Sequence, residues 1–233
     1  MAKVFLKYFL LTLITVIFSS NLCFGQNLRE DITKINTIYS SENSFKLPMK
    51  VSLLEDNTVV ESKNYFYAQK GKNSYFKIDK TITVVLGEIS LLVDENTKNI
   101  ILSPTPKNTL MSISGSYDTL LDIVKSYKLE VLDSGKKNQY TLNFKKQAYK
   151  KIEIVYSPID FQLISVRIYY SKVNKKDPQK VLEFSYGKIS SLTNADKRKL
   201  TKETYLSNSN KQPKLSVQYS SYDLIDYRSF YQE

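Results

Sequence analysis

The residues of this chain that could do chemistry are carboxylates, amines, hydroxyls and phenols. Its 233 residues contain no His, no Trp and a single Cys, Cys23. Ser-His-Asp and Cys-His catalysis need an imidazole, and zinc sites are built from imidazole and thiolate ligands. These classes of active site and metal centre are therefore excluded.

The acidic residues do not form a recognisable catalytic or metal-binding pattern. The candidate pairs, Asp94 with Glu95 and Asp223 with Asp226, fall in turns or in the C-terminal tail. A Ca²⁺ loop needs several converging oxygens and a phosphate loop needs clustered glycines, but the six glycines are scattered along the chain. We therefore predict no catalytic residue, no metal and no cofactor, which means that the protein is not an enzyme.

The first 25 residues have the three parts of an export signal. Lys3 and Lys7 give a basic start, residues 8–18 are apolar, and residues 19–25 form a polar exit that contains small residues. The apolar stretch is shorter than the ~20 residues that span a bilayer. This length favours cleavage before Gln26 over the alternative, an uncleaved membrane anchor.

Removing 25 residues from 233 leaves a mature chain of 208, which carries 32 Lys and Arg against 23 acids. We expect it to be exported, most simply to the periplasm, either soluble or tethered to a membrane. Cys23 leaves with the signal, and the bulky Leu22 before it disfavours a lipid-modified cysteine. No disulfide can then form, so the fold must be held by its core. No linker separates two parts, which predicts one domain over residues 26–233.

An amphipathic helix opens the mature chain. Asn27 is placed to cap its start, with Glu30 three residues further on as in a capping box. The helix should end near residues 40–44, where polar residues cluster. Its apolar stripe recurs at spacings of four, three and three and consists of Leu28, Ile32, Ile35 and Ile38.

Almost all of the remaining chain alternates between apolar and polar residues with period two. One apolar face and one solvent-exposed polar face are typical of antiparallel strands. The residues that the alternation predicts to face inward include Val60, Ser62, Asn64, Phe66 and Ala68, then Phe76 and Ile78, then Ile89, Leu91 and Val93. Turn-forming residues separate the strands, at Asp56-Asn57, Lys70-Gly71-Lys72-Asn73, Asp94-Glu95-Asn96-Thr97 and Asp133-Ser134-Gly135-Lys136.

Three further segments interrupt the strands, of which two are polar and one is predicted to be helical. Residues 172–180 and 193–202 are interpreted as hairpin loops. After Pro104 and Pro106, residues 117–127 carry apolar residues at helical spacing, which predicts a short middle helix. The predicted fold class is α+β and mostly antiparallel β, with a curved or unclosed β-barrel-like sheet covered by the N-terminal helix and the middle helix.

This layout resembles the periplasmic lipoprotein carriers, the LolA/LolB-like superfamily. The local match runs through residues 70–77, where Lys-Gly-Lys-Asn-Ser-Tyr-Phe-Lys reads as a Gly-basic-aromatic strand, and then through residues 85–94 and 98–101. At the level of pattern it covers residues 28–190. The resemblance implies an unclosed barrel whose concave apolar face is lidded by helices, and it implies lipid or lipoprotein binding in the cell envelope.

The leading hypothesis is a binding protein that holds a lipid, an acyl chain or another apolar group on the concave face of its sheet. For each lining residue the alternative is an ordinary core position. The residues predicted to line the face are Phe66, Phe76, Ile78, Leu91, Ile154, Ile168 and Phe184.

An envelope scaffold or adaptor is the alternative function. It would bind another envelope protein through its sheet edge or through the Tyr-rich tail, since Tyr and Arg are favoured at interfaces. The candidate partner-binding residues are Tyr222, Tyr227, Arg228 and Phe230. The other interpretation of this tail is a last strand packed on the sheet.

The excess of Lys and Arg suggests attraction to an anionic membrane surface. Export makes nucleic acid a poor partner, and we predict none. A scattered, solvated lysine surface is the other interpretation of the same charge.

Overall fold

The described part of the chain builds two α-helices and fourteen strands. A computed structural model describes residues 28–40, 43–105, 123–144, 148–172, 174, 176–207 and 213–228. The predicted signal, Asn27 and Phe230 lie outside these ranges. The elements are α1 (28–38), β1 (Ser44–Glu55), β2 (Thr58–Lys70), β3 (Asn73–Ile78), β4 (Thr81–Leu86), β5 (Ile89–Asp94), β6 (Asn99–Pro104), β7 (Val124–Leu132), β8 (Lys137–Phe144), β9 (Tyr149–Tyr156), β10 (Leu163–Tyr170), β11 (Lys180–Tyr186), α2 (Asn194–Lys199), β12 (Leu206–Ser207), β13 (Lys214–Leu215) and β14 (Asp223–Asp226).

Twelve of the strands form one sheet, in the order β14-β6-β5-β4-β3-β2-β1-β11-β10-β9-β8-β7, and β12 pairs with β13. Every neighbouring pair in the large sheet is antiparallel except β14, which runs parallel to β6. The sheet has two edges, β14 and β7, so it is unclosed. The predicted class, α+β with a curved and mostly antiparallel sheet, is confirmed.

Turn chemistry positions the hairpins as predicted. Asp56 and Asn57 have φ of 46° and 68° between β1 and β2, which matches the positive-φ pair of a two-residue hairpin turn. Gly71, with φ of 58°, supplies the same left-handed conformation between β2 and β3. Residues 172–180 connect the paired strands β10 and β11, so the predicted hairpin there is confirmed.

Helix α1 packs on one face of the sheet, which we call the helix face. The predicted stripe is confirmed, because Leu28, Ile32 and Ile35 are buried and Ile38 is half-buried. The sheet residues of this core come from β1, β2, β8, β9 and β10: Phe45, Leu47, Tyr67, Tyr140, Leu142, Phe144, Ile152, Ile154, Tyr156 and Leu163. One helix therefore holds together strands that lie far apart in the sequence.

Polar contacts fix α1 at its first turn. Asp31 Oδ2 accepts hydrogen bonds from the hydroxyls of Tyr140 at 2.9 Å and Tyr156 at 2.5 Å. The two phenol rings are stacked with centroids 5.8 Å apart. Burial, and then the hydrogen bond to Asp31, raises the pKa of Tyr156 to about 12 and raises that of Tyr140 further. Both hydroxyls therefore stay protonated and act as donors.

The C-terminal end of α1 is also fixed. Tyr39 Oη accepts a hydrogen bond from the backbone N–H of Leu163 at 3.0 Å. The buried Gln69 donates from Nε2 to the carbonyl oxygen of Ser40 at 2.6 Å and accepts from Tyr67 Oη at 2.5 Å. With polar anchors at both ends and an apolar stripe between them, α1 is an integral part of the core.

The opposite face of the sheet carries a second core beneath the C-terminal segment. From β2 to β6 its strand residues are Ala68, Tyr75, Ile82, Val84, Leu91, Val93, Ile100 and Leu102, and Leu200, Tyr205, Leu206 and Tyr219 cover them. The sequence alternation assumed one apolar face, and this was wrong. Between β2 and β6 both faces carry apolar side chains, because α1 and the C-terminal segment cover different sides.

The prediction of a hairpin loop at residues 193–202 was also wrong, since α2 lies there. Thr193 caps α2 in a capping box with Asp196: the Thr193 side chain accepts from the Asp196 N–H, and the Asp196 carboxylate accepts from the Thr193 N–H. This local pattern starts a helix despite the many polar residues.

The predicted middle helix, residues 117–127, lies partly outside the described ranges. Its last part, from Val124 to Tyr127, was predicted wrongly because it belongs to β7. Strand β7 pairs with β8 over its whole length, from Val124 opposite Phe144 to Leu132 opposite Lys137. A ladder of that length outweighs a few apolar residues at helical spacing.

Asp196 fastens α2 to the opposite face of the sheet. Its Oδ2 lies 2.9 Å from Lys46 Nζ, and it also accepts from Thr193 Oγ1 at 2.6 Å. Burial alone would raise the pKa of Asp196, but the hydrogen bonds from Thr193 and Lys46 lower it to about 2. The buried carboxylate is therefore charged and paired.

We expect Asp31→Ala to lower the free energy of unfolding by about 2 kcal/mol, because it leaves two buried phenol hydroxyls without their acceptor. Urea unfolding followed by circular dichroism measures the change. The matched control is Glu30→Ala, which removes the neighbouring acid and its solvent-exposed ion pair with Lys34 and should have a much smaller effect on stability. Equal losses in the two variants would contradict the anchoring role of Asp31.

We expect Asp196→Asn to destabilise the protein near neutral pH by about 2 kcal/mol, since a buried, charge-assisted pair is lost. The pKa of Asp196 in the fold, about 2, is below its usual 3.8. Its stabilising contribution is therefore present above about pH 4 and is lost as the pH falls towards 2.

The test is urea unfolding of the wild type and Asp196→Asn at several pH values. The stability difference should shrink between pH 4 and pH 2. Glu203→Gln, at an exposed acid on the following turn, serves as the control. A difference for Asp196→Asn that stays constant across this pH range would show that the carboxylate charge is not the stabilising feature.

Candidate functional site

The candidate site is the part of the helix face that is not fully buried. Cross-strand partners share a face, and alternate residues along a strand point to opposite faces. Two rows of paired residues cross β1, β11, β10 and β9 on the helix face. One row is Val51, Phe184, Val166 and Ile154, and the next is Leu53, Leu182, Ile168 and Ile152.

The β9 ends of these rows are buried in the α1 core, whereas the other members keep part of their surface accessible. On the other side of β1, Tyr65 of β2 lies opposite Ile78 of β3 and extends the half-buried area. We define the open apolar surface as Val51, Leu53, Tyr65, Ile78, Val166, Ile168, Leu182 and Phe184. All eight are half-buried, and all are on the helix face.

The open apolar surface is continuous with the core. Val166 and Ile168 pack against the cluster that α1 covers, and so does Phe76, whose ring centroid lies 5.4 Å from that of Tyr65. On β2 the residues opposite Val51 and Leu53 are Lys63 and Glu61, and these two charged side chains pair with each other at 3.1 Å. The surface can therefore contact an apolar molecule without burying an unpaired charge.

Five of the seven predicted lining residues share the helix face. Ile78, Ile168 and Phe184 belong to the open apolar surface, while Phe76 borders it and Ile154 is buried beneath α1. The other two do not join them. Phe66 and Leu91 lie on the opposite face, where Leu91 is fully buried and Phe66 packs edge-on against Tyr75 with centroids 6.1 Å apart.

The predicted lining residues did not include Val51, Leu53, Tyr65, Val166 and Leu182, although the alternation puts Val166 and Leu182 on the inward side of their strands. Leu182 and Val166 are two residues from Phe184 and Ile168, so the alternation predicts that they point to the same side of the sheet. Val51 and Leu53 become visible only through the pairing of β1 with β11, which joins residues about 130 positions apart. That register carries no local sequence signal.

The predicted partner-binding residues are engaged within the chain. Tyr222 packs edge-on against Tyr219, with ring centroids 5.1 Å apart. The backbone N–H of Tyr227 donates to the carbonyl oxygen of Leu102, and the Tyr227 side chain is exposed. Arg228 donates from Nε and Nη2 to both carboxylate oxygens of Asp226, at 2.9 and 2.7 Å, and these bonds lower the pKa of Asp226. The tail up to Arg228 thus includes a last strand on the sheet.

The candidate acid pairs do not converge on a site. Asp94 accepts backbone N–H groups of its own turn from Asn96 and Thr97, and these hydrogen bonds lower its pKa. Glu95 is paired with Lys77 at 2.8 Å. Within the described ranges, no group of three or more acidic or Cys side chains is arranged to hold a metal ion.

Among the same residues, none of the helices combines the length and the apolar character needed to cross a membrane.

Comparison with known structures gives remote matches. A LolA superfamily protein from Nitrosomonas europaea is 12% identical with a TM-score of 0.35, over 75% of this chain and 97% of that chain. An uncharacterised conserved protein from Thermus thermophilus is 13% identical with a TM-score of 0.44, over 86% and 99%. A chain of the MucA/MucB complex of Pseudomonas aeruginosa is 7% identical with a TM-score of 0.35, over 80% and 63%. No family model matches the chain, and no curated protein matches it.

A LolA superfamily protein is thus among the solved structures to which the chain is similar. With identities of 13% or less and TM-scores below 0.5, these matches do not indicate which molecule the chain binds.

Proposed function

We propose that the chain is an exported, non-enzymatic binding protein that holds a lipid, an acyl chain or another apolar group on the open apolar surface. The observation that carries this proposal is the continuity of that surface. Eight half-buried apolar side chains cross five neighbouring strands, next to a core that α1 buries completely. Contiguous accessible apolar surface beside a packed core is typical of a binding site.

The dimensions of the surface suit an extended hydrocarbon chain. From β3 to β10 it spans five strands, which corresponds to about 19 Å because neighbouring strands lie about 4.8 Å apart. One hydrocarbon leaflet of a bilayer is about 15 Å thick, half of the ~30 Å core. An acyl chain that lies across the strands can therefore contact side chains of all five strands.

Burial of apolar area provides the affinity. Each methylene group removed from water contributes about 0.8 kcal/mol. Seven of the eight side chains of this surface are Val, Leu, Ile or Phe and none is charged, so the selectivity is for apolar groups. Export directed by residues 1–25 would place the protein in the periplasm. Lipids and lipoproteins of the envelope would be available there as ligands.

The test introduces a charge on the open apolar surface. Phe184→Asp, and separately Ile168→Asp, should weaken binding of a fluorescent fatty acid at least tenfold, because a carboxylate would have to lose its hydration against hydrocarbon. Native mass spectrometry of gently purified wild-type protein should show a bound lipid that is absent from both variants. Circular dichroism confirms that the variants are folded.

Ser185→Asp is the matched control. It introduces the same side chain on the same strand, but it faces the other side of the sheet, where Ser185 lies opposite Lys50. We expect binding within twofold of the wild type. The proposal fails if the wild type neither carries nor binds lipid, or if Ser185→Asp and Phe184→Asp weaken binding equally.

The second candidate function is that of an envelope adaptor, and it is favoured by the position of β14. This strand forms an edge of the large sheet. The N–H groups of Asp223 and of Tyr227, which follows the strand, donate inward to the carbonyl oxygens of Lys98 and Leu102. The intervening groups of Leu224 and Asp226 point outward, as alternate groups in a ladder do. Such an edge can pair with an extended segment of another protein. The exposed Tyr227 and the adjacent Arg228 would provide side-chain contacts.

Crosslinking in intact cells tests the adaptor function. A Tyr227→Ala/Arg228→Ala variant should lose a crosslinked envelope protein that the wild type retains, because the side-chain contacts at the edge are removed. The control is Tyr170→Ala/Lys172→Ala, an exposed Tyr and Lys far from this edge. A crosslinked partner that persists in the first variant, or that disappears from both, would contradict binding at β14.

A further inference from the structure

Five exposed cations lie together, and the residues that the structure describes provide no acidic partner for them. Lys70 is the last residue of β2, and Lys72 is in the β2–β3 turn. Lys197 and Arg198 are on α2, and Lys202 is in the following 3-10 turn. All five are exposed, and among the described residues none of them takes part in an ion pair. We define these five residues as the basic patch.

Hydrogen bonds join the segments that carry the basic patch. Asn73, at the end of the β2–β3 turn, donates from Nδ2 to the carbonyl oxygen of Leu200 at 3.0 Å. Lys70 pairs with Asn73 in register, and both lie on the face that α2 covers. Thr204 Oγ1 donates to the carbonyl oxygen of Arg198 at 2.5 Å, which holds the 3-10 turn against α2.

The acids that the structure describes near the basic patch do not neutralise it. Asp196 is buried and already paired with Lys46, with Lys199 Nζ at 3.8 Å. Lys199 itself lies over the ring of Phe66, 5.1 Å from its centroid. Glu203 is the acid exposed in the 3-10 turn beside Lys202. A net positive field therefore extends from this end of the molecule.

An exposed apolar side chain lies beside the basic patch. Val217 is 93% exposed, in a short 3-10 helix that follows Ser216. Ser216 Oγ donates to the carbonyl oxygen of Thr204 at 2.7 Å, and Ser216 N–H donates to the carbonyl oxygen of Tyr205 at 2.9 Å. These bonds hold the Val217 tip next to the segment that contacts Arg198.

We propose that the basic patch, with Val217 at its margin, docks the protein on an anionic membrane surface. Cations near such a surface are attracted to acidic lipid headgroups, and an exposed apolar tip among cations can enter the headgroup boundary. The positive charge of the basic patch complements the anionic surface of a bilayer. The exposed Val217 favours a bilayer over an acidic protein in solution, because only the bilayer has an apolar layer that this side chain can enter.

Docking is independent of whether the open apolar surface holds a lipid. The basic patch lies at the end of the sheet formed by the β2–β3 turn, whereas Val51 and Leu53 lie towards the β1–β2 turn at the other end of the same strands. The vesicle experiment below therefore has an outcome that does not depend on the fatty-acid experiment.

The experiment is co-sedimentation with vesicles. The protein is purified after export, and its intact mass is measured to establish that residues 1–25 are absent, because an apolar segment would itself enter bilayers. Vesicles of phosphatidylcholine with one-third phosphatidylglycerol should bind it, and pure phosphatidylcholine vesicles should not. Raising the ionic strength from about 0.01 M to about 1 M shortens the screening length from about 30 Å to about 3 Å and should release the protein.

Charge reversal locates the contact. Lys197→Glu/Arg198→Glu/Lys202→Glu should weaken vesicle binding at least 100-fold, since each cation near an anionic surface contributes about fivefold. The control is Lys80→Glu/Lys136→Glu/Lys176→Glu, which changes the net charge equally at exposed lysines elsewhere and should retain most of the binding. Val217→Ser should weaken binding about fivefold through lost apolar contact.

Several results would overturn the proposal. They are no binding to acidic vesicles at low ionic strength, equal binding to neutral vesicles, equal loss in the two triple variants, and unchanged vesicle binding by Val217→Ser. Binding of polyglutamate without binding of vesicles would assign the basic patch to an acidic polypeptide. Circular dichroism and urea unfolding of each variant separate loss of contact from loss of folding.

Discussion

The pairing of β1 with β11 is the constraint on which the rest of the structure depends. It joins two meanders, β1–β6 and β7–β11, into one sheet through seven residue pairs, from Met49 opposite Tyr186 to Glu55 opposite Lys180. The ladder continues past its end, where Gly187 N–H donates to the carbonyl oxygen of Pro48 at 2.8 Å. A Cβ at Gly187 would lie 2.6 Å from Pro48 Cγ, so this close approach requires glycine. Because the contact joins residues distant in sequence, its formation carries a large loop-closure entropy cost.

In the joined sheet, each of the two faces is covered by a different segment of the chain. Helix α1 has the length to bury only part of the helix face, and its anchors at Asp31 and Tyr39 hold it over the β8–β10 side. The C-terminal segment covers β2–β6 on the other face and is fastened there by the pair of Lys46 with Asp196. The half-buried rows from Val51 to Val166 follow from this division, because neither cover extends across them.

Local patterns in the sequence were sufficient to predict α1 and the hairpins. They were not sufficient to predict on which face of the sheet each side chain lies. The spacing from Leu28 to Ile38 predicted α1, and turn residues such as Asp56-Asn57 predicted the hairpins. Period-two alternation gives the relative direction of neighbouring side chains but does not say which side is covered, so Phe66 and Phe76 were placed on one face although they point to opposite ones. The box from Thr193 to Asp196 is a helix start that the sequence does contain, but the surrounding charges obscured it. The position of Val51 beside Phe184 depends on long-range register alone.

The basic patch and the open apolar surface lie towards opposite ends of the strands, so the two surfaces act independently. Val51 and Ser44 are seven residues apart on β1, a distance of about 24 Å at 3.4 Å per residue, and Ser44 lies opposite Lys70 of the basic patch. The screening length at physiological ionic strength is about 8 Å. The field of the basic patch is therefore largely screened at the open apolar surface, and apolar binding there does not have to overcome it. Conversely, an apolar molecule at that end leaves the energetics of the charged end unchanged, so attraction to a membrane and capture of an apolar group contribute as separate terms.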